Sequence, residues 1–347
     1  MTRRAFLPPT ERIITLGHGA GGRKSQRLIS GLILKHLTNP VLDRLDDSSY
    51  LPRQTGKPAV TTDSFVVKPL RFSGGDIGRL SVCGTVNDLT AVGARPICLT
   101  VGLIIEEGFS METLDMILSS LRKTCDEAGV FVAAGDTKVV GRGQADGLYI
   151  NTTGFGVEAS KTPISSSGAE PGDVIILSGY LGDHEIAILK ERSGGSFQAD
   201  IRSDCAPLNR MILPLLSAGH GIHAMRDPTR GGLASALNEI AAASKVDIRI
   251  DSEDIPVRRP VRTACEMFGF DPLNLANEGK MVLFCDPRKS GRILSGLTKH
   301  RYGKHAAVIG TVTGRTRSGT PRVIEVTDTG GERIVLIPEG ELLPRIC

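Results

Sequence analysis

The chain has 347 residues, a hydrophobic share of 40% and a formal net charge of +4, the profile of a water-soluble globular protein with room for two domains and a sizeable core. Lysines and arginines are dispersed without a basic run, and with no Trp and only four Tyr there are few platforms on which bases could stack, which excludes nucleic acid as a partner. No stretch approaches the ~18 apolar residues of a membrane span, and Thr2-Arg3-Arg4 runs into Pro8-Pro9 instead of an apolar segment, so neither a membrane nor export is expected and the working place is the cytoplasm.

Seven cysteines, an odd number without a C-x-x-C pair, fit reduced usage. Most sit in apolar surroundings such as Ile97-Cys98-Leu99 and Phe284-Cys285, where Cys behaves as a small buried hydrophobe. Cys347, the last residue, is the exception.

In chain order, Gly17-His18-Gly19-Ala20-Gly21-Gly22-Arg23-Lys24-Ser25 precedes a helical pattern to Leu37. Arg23 stands where a P-loop needs Lys, and no acid on a second strand completes a dinucleotide fingerprint. What remains is a glycine-rich turn at a helix N-terminus whose N–H groups can face an anion, with Arg23 and Lys24 adding charge. Ala59 to Ser64 is a β-branched strand carrying Asp63, and Gly74-Gly75-Asp76 opens a helix to Val92 with one apolar face and the polar pair Asn87-Asp88 at its edge. Pro96–Ile105 predicts a buried strand. Ser110 caps a helix with Met111, Leu114, Leu118, Leu121 and Cys125 on one face. A strand then delivers Gly135-Asp136-Thr137-Lys138, another strand spans Leu148 to Val157, and the Ser/Pro/Gly-rich residues 160–172 mark a domain boundary.

The second half alternates strands and helices. Arg226-Asp227-Pro228-Thr229-Arg230-Gly231-Gly232 stands before a helix, and Asn277-Glu278-Gly279-Lys280 before a strand. The tail, with Pro344 near its end, predicts an arm that is not docked and carries its thiol at the tip. Asp63, Asp88, Asp136 and Asp227 are hard oxygen ligands without His or Cys company, a set that suits Mg²⁺ bridging nucleotide phosphates. Composition and spacing therefore lead to an ATP-using α/β enzyme.

Taken together, His18-Gly19-Ala20-Gly21-Gly22, Thr61-Thr62-Asp63-Ser64, Gly84-Thr85-Val86-Asn87-Asp88, Gly135-Asp136-Thr137-Lys138, Arg226-Asp227-Pro228-Thr229-Arg230-Gly231-Gly232, Asn277-Glu278-Gly279-Lys280 and the Pro344-Arg345-Ile346-Cys347 ending resemble the HypE family of hydrogenase maturation carbamoyl dehydratases. That family belongs to the superfamily of aminoimidazole ribonucleotide synthetase, thiamine-monophosphate kinase and selenophosphate synthetase. The resemblance implies an α/β (α+β) two-domain aminoimidazole ribonucleotide synthetase-like fold with a flexible tail. Its parts would be a glycine-rich segment and helix (1–40), an ATP-binding and dimerisation domain (41–159), a linker (160–172), a C-terminal domain (173–337) and the tail (338–347). It implies a homodimer with ATP between a strand edge and the partner's glycine-rich segment, Asp63, Asp88, Asp136 and Asp227 as Mg·ATP ligands, and Gly19, Gly21, Gly22 and Arg230 around the nucleotide.

Lys138, Glu278 and Cys347 become the catalytic candidates: a carbamoyl group on the Cys347 sulfur would be dehydrated to a thiocyanate, the source of a hydrogenase cyanide ligand. The implied partners are a carbamoyltransferase (HypF) upstream and an iron scaffold (HypC with HypD) downstream. Glu185 departs from the family's usual Gly after Asp183-His184, which predicts a disturbed turn because Glu tolerates positive φ poorly. A small-molecule kinase or synthetase of the same fold, selenophosphate synthetase-like, and a non-catalytic adaptor docking by its tail stand as alternatives.

Overall fold

The computed structural model describes residues 11–216, 219–316, 319–340, 343 and 345–347; the Thr2-Arg3-Arg4 start and Pro344 lie outside the described residues. Among the described residues no helix is long and apolar enough to cross a membrane.

In the first half, α1 (Arg23–Leu28) runs through a π-turn at Ile29–Ile33 into α2 (Leu34–Leu37). After β1 (Pro58–Phe65) a small hairpin of β2 (Arg71–Phe72) and β3 (Gly75–Asp76) leads into α3 (Ile77–Ala91). Asp76 caps that helix, accepting Arg79 N–H at 2.8 Å. Next come β4 (Ala94–Glu106), α4 (Met111–Ala128), β5 (Phe131–Val140) and β6 (Leu148–Glu158). α4 begins at the Ser110 side chain, which accepts Thr113 N–H at 3.2 Å, and ends at Gly129 with φ 76°.

The four strands form one sheet in the order β1-β6-β4-β5, with only β4 and β5 parallel. Helices α3 and α4 pack together, and α3 also lies against β1 and β6. Val60, Thr62, Ser64, Thr100, Ile104, Asp136 and Lys138 remain exposed on the sheet. Twelve side chains or glycines of α3 are buried, more than the one apolar face predicted, because α6 (Asn209–Ile212) and β8 (Ile222–Arg226) of the second half pack against it as well.

The second half holds β7 (Val174–Leu177), α5 (Asp183–Arg192), α6, β8, α7 (Gly232–Ser244), β9 (Val246–Asp251), α8 (Arg259–Phe268), β10 (Val282–Cys285), α9 (Pro287–Thr298), β11 (Ala307–Arg315), β12 (Val323–Val326) and β13 (Glu332–Ile334). Its sheet runs β13-β12-β9-β11-β7-β10-β8, antiparallel except at β12–β9. Every residue of β10 is buried, as a central strand covered on both faces requires. The halves are joined by polar contacts: Asn87 donates to Ala206 O at 3.1 Å and accepts Leu208 N–H at 2.8 Å, and Arg79 Nε donates to Cys205 O at 2.8 Å. Asn87 thus has a structural partner, leaving Asp88 as the member of the pair that is available to a site.

Candidate active site

Strand alternation decides where Asp63 points. Asp63 is paired with Thr152, and the Thr152 hydroxyl is hydrogen-bonded to Thr85 on α3, so both residues face the helix layer. There Asp63 meets Asp88 from α3, whose Oδ2 accepts the Thr61 hydroxyl at 2.7 Å. Asp227 follows β8 directly, and the Asn277–Lys280 segment precedes its neighbour β10. That segment is fixed from several sides. Asn277 N–H donates to Pro228 O at 3.1 Å, and the Asp204 carboxylate accepts Glu278 N–H at 3.0 Å, Gly279 N–H at 3.2 Å and Lys280 Nζ at 2.9 Å. A Cβ on Gly279 would sit 1.9 Å from Asp204 O, so only glycine permits this approach.

Asp63, Asp88, Asp227 and Glu278 consequently share one region, and burial sets their chemistry. Burial, then the neighbouring Asp227 and Asp63 charges, pushes Asp88 up to about 7. Burial raises Asp227 to about 6, lifts Asp63 despite Arg230, and holds the 3%-exposed Glu278 well above the usual carboxylate range, with Cys205 and Asp227 adding to it. Crowded buried carboxyls of this kind invite a cation. Among the described residues no three His, Cys, Asp or Glu converge closely enough to hold a metal by themselves. The donor set fits Mg²⁺, which takes one or two carboxylates and completes its shell with phosphate oxygens and water.

Asp136 is elsewhere. Asp63 and Gly135 belong to one cross-sheet row through Thr152 and Val101, while Asp136 pairs with Gly102 in the next row and therefore points to the opposite face. Three strand spacings, about 14 Å, also separate the two. Asp136 is exposed and bonded to Lys138 at 3.1 Å, which lowers its pKa. Both line a cavity of about 290 Å³ with Gly19 and Gly21. Gly19 packs on β5 so closely that a Cβ would lie 2.7 Å from Val139 N, and Gly22 caps α1. Lys24 is paired with Glu11 at 3.0 Å, and Arg23 beside it is exposed.

The chain end differs from the free arm predicted for it: its last residues are docked. Val66 N–H donates to Cys347 O and Lys68 N–H to Arg345 O, both at 3.1 Å, and His184 Nε2 donates to Ile346 O at 2.7 Å. Ile346, 6% exposed, packs into the first-half core. Cys347 is half-buried whereas the other six cysteines are buried. It lines a cavity of about 370 Å³ with Ser64, Glu185, Arg230 and Gly231, and the Arg230 charge also reaches Asp63. Arg226, by contrast, is paired with Glu239.

Sequence reasoning missed the Asp204–Lys280 pair and the docking role of His184, for which no local signal exists. The turn predicted to be disturbed by Glu185 is not: the positive φ falls on Gly182 at 80°, and Glu185 lies inside α5.

This two-domain architecture defines a class. Residues 45–157 match the N-terminal domain and residues 170–321 the C-terminal domain of AIR synthase related proteins. Within that class the chain is 44% identical to the carbamoyl dehydratase HypE of Azotobacter vinelandii over 335 residues, 96% of this chain and 97% of the relative. It superposes on a crystal structure of hydrogenase maturation protein HypE in complex with ATP with a TM-score of 0.92 at 45% identity, covering 96% of this chain and 99% of that one. A HypE–HypF complex matches at a TM-score of 0.78 and 43% identity, covering 90% and 99%. The chain belongs to the HypE family.

Proposed function

We propose that this protein is an ATP-dependent carbamoyl dehydratase that converts an S-carbamoyl group on Cys347 into a thiocyanate for the cyanide ligand of a hydrogenase iron. The observation that carries the reading is the docked chain end: a terminal thiol shares a cavity with Arg230, whose charge reaches Asp63 in the carboxylate cluster. The carbamoyl oxygen is a very poor leaving group. Transfer of the γ-phosphoryl of ATP to that oxygen lets it leave as phosphate, and loss of both nitrogen protons completes C≡N. Mg²⁺, held through Asp63, Asp88 and Asp227, would supply charge neutralisation at the phosphates.

Glu278 takes an N–H proton. The burial that raises its pKa makes its ionised form a stronger base. Lys138 and Asp136 serve the phosphate end from a second copy. Support for this homodimer comes from the uncovered sheet face and from the position of Asp136 opposite Asp63. HypF as carbamoyl donor, suggested by the complex of a relative, a HypC–HypD acceptor, and a cytoplasmic working place complete the proposal.

Intact and peptide mass spectrometry tests it. The C-terminal peptide gains a carbamoyl adduct from the donor system and loses the mass of one water when Mg·ATP is added, while Cys347→Ala keeps fold and nucleotide binding but yields no product. An adduct on Cys83 or Cys205, or one unchanged by ATP, overturns the proposal.

A further inference from the structure

Two residues that line the cavity receiving the tail each carry a buried polar atom whose hydrogen-bonding capacity goes unused. Glu185 Oε1 and Arg345 Nη2 are buried and without a partner, and both residues line this cavity together with Cys347. Each side chain is otherwise tightly held. Glu185, 2% exposed, accepts Ala276 N–H through its other oxygen at 2.7 Å. Arg345 donates through Nε to Val66 O at 3.0 Å and is paired through Nη1 with Asp146. An unmatched buried donor or acceptor is costly to keep.

The two atoms are complementary in kind, since one needs a donor and the other an acceptor. An inorganic anion satisfies Arg345 but not Glu185, a metal ion does the reverse, and an apolar group satisfies neither. A primary amide presents an oxygen and an NH₂ group on one carbon. The thiol in the same cavity is the atom that the proposed function loads with such a group, –C(=O)NH₂.

We infer that Glu185 and Arg345 form a cradle for the carbamoyl group of the docked tail, with the ionised Glu185 accepting an N–H at Oε1 and Arg345 Nη2 donating to the oxygen. The inference rests on Cys347 as the carrier. The cradle orients the loaded thiol and discriminates by hydrogen bonding: a thioester such as S-acetyl fills similar space but leaves Glu185 unmatched, the type of difference that sites use to reject near-isosteres.

The test loads the full-length chain without any transferase. The thiol adds across the C=N bond of isocyanic acid, RSH + HNCO → RSC(O)NH₂, the sulfur bonding to carbon and the thiol proton passing to nitrogen. Cys347 is the one cysteine that is not buried, which favours labelling there with ¹³C,¹⁵N-cyanate, and peptide mass spectrometry verifies the position. Proton–nitrogen correlation spectra then report the carbamoyl NH₂. In the unsubstituted protein its solvent exchange is expected to be at least about tenfold slower than in the isolated carbamoylated tail peptide, the scale of one lost hydrogen bond. Glu185→Ala returns the exchange to the peptide rate. Glu185→Gln also loses most of the protection, because its single amide oxygen stays with Ala276 N–H and an NH₂ donor replaces the acceptor. The Ile346 methyl resonance, read in parallel, shows that the tail stays docked in each variant.

Exchange at the peptide rate in the unsubstituted protein, or equal protection in Glu185→Ala, overturns the cradle. Protection as expected, but no loss of water mass with Mg·ATP, leaves the cradle standing and overturns the dehydratase reading instead.

Discussion

Asp63 and Asp136 are both aspartates in strands of one sheet, yet the fold gives them opposite chemistry. Asp63 faces α3 among Asp88, Asp227 and Glu278, where burial raises every carboxyl. Asp136 lies on the open face, where Lys138 holds its pKa down. The first region is built to receive a cation. The second already has one, the Lys138 ammonium, and faces solvent. The contrast teaches that strand parity alone separates a buried, cation-seeking aspartate from an exposed, already paired one, and under the proposed homodimer a second copy would bring the two together.

The largest effect is expected from breaking either half. Asp63→Asn or Asp88→Asn should lower Mg-dependent ATP hydrolysis by at least about 100-fold, the scale of losing a charged group that stabilises the transition state, with the circular dichroism spectrum unchanged. Asp136→Asn should do the same although it lies about 14 Å away on the other face. Unchanged turnover in Asp136→Asn would assign the open face no part in the reaction.

Subunit mixing sharpens the comparison further. If each site takes Asp63 from one copy and Asp136 from the other, equal amounts of Asp63→Asn and Asp136→Asn protein, dissociated and reassociated, give mixed dimers in which one of the two sites is intact. Turnover should then recover to about a quarter of the unsubstituted value. No recovery, with mixed dimers verified by native mass spectrometry, would place both aspartates in the same copy's site.

A smaller, thermodynamic contrast separates buried from exposed carboxyls. Burial pushes Glu185 up to about 7 from 4.5, so between these values the folded chain holds a proton that the unfolded chain has lost. The stability this group contributes is therefore complete below pH 4.5 and falls as pH rises through 7. The change is on the order of 3 kcal/mol at about 1.4 kcal/mol per unit. Glu185→Gln should flatten the denaturant midpoint between pH 5 and 8, whereas Asp136→Asn should leave that slope as it is. An unchanged slope in Glu185→Gln would show that the carboxyl ionises freely in the folded state.

Local signals in the sequence were sufficient for much of this molecule. The Ser110 cap, the apolar period of α4 and the left-handed Gly129 are short-range features whose energetics involve neighbours within a turn or two. Four features depended on tertiary structure. Asp63 and Asp136 part company because side-chain parity is combined with a β1-β6-β4-β5 strand order that no local pattern encodes. α3 is buried nearly all round because α6 and β8 come from a separate domain. The predicted arm is docked because His184, Val66 and Lys68, distant in sequence, supply donors for its carbonyls. Glu185, which the sequence suggested only as a disturbance of a turn, faces the cavity of Cys347 because helix α5 and the chain end meet there. Each of these depends on which segments pack together, and packing is settled by burial over the whole chain rather than by the preference of any one stretch.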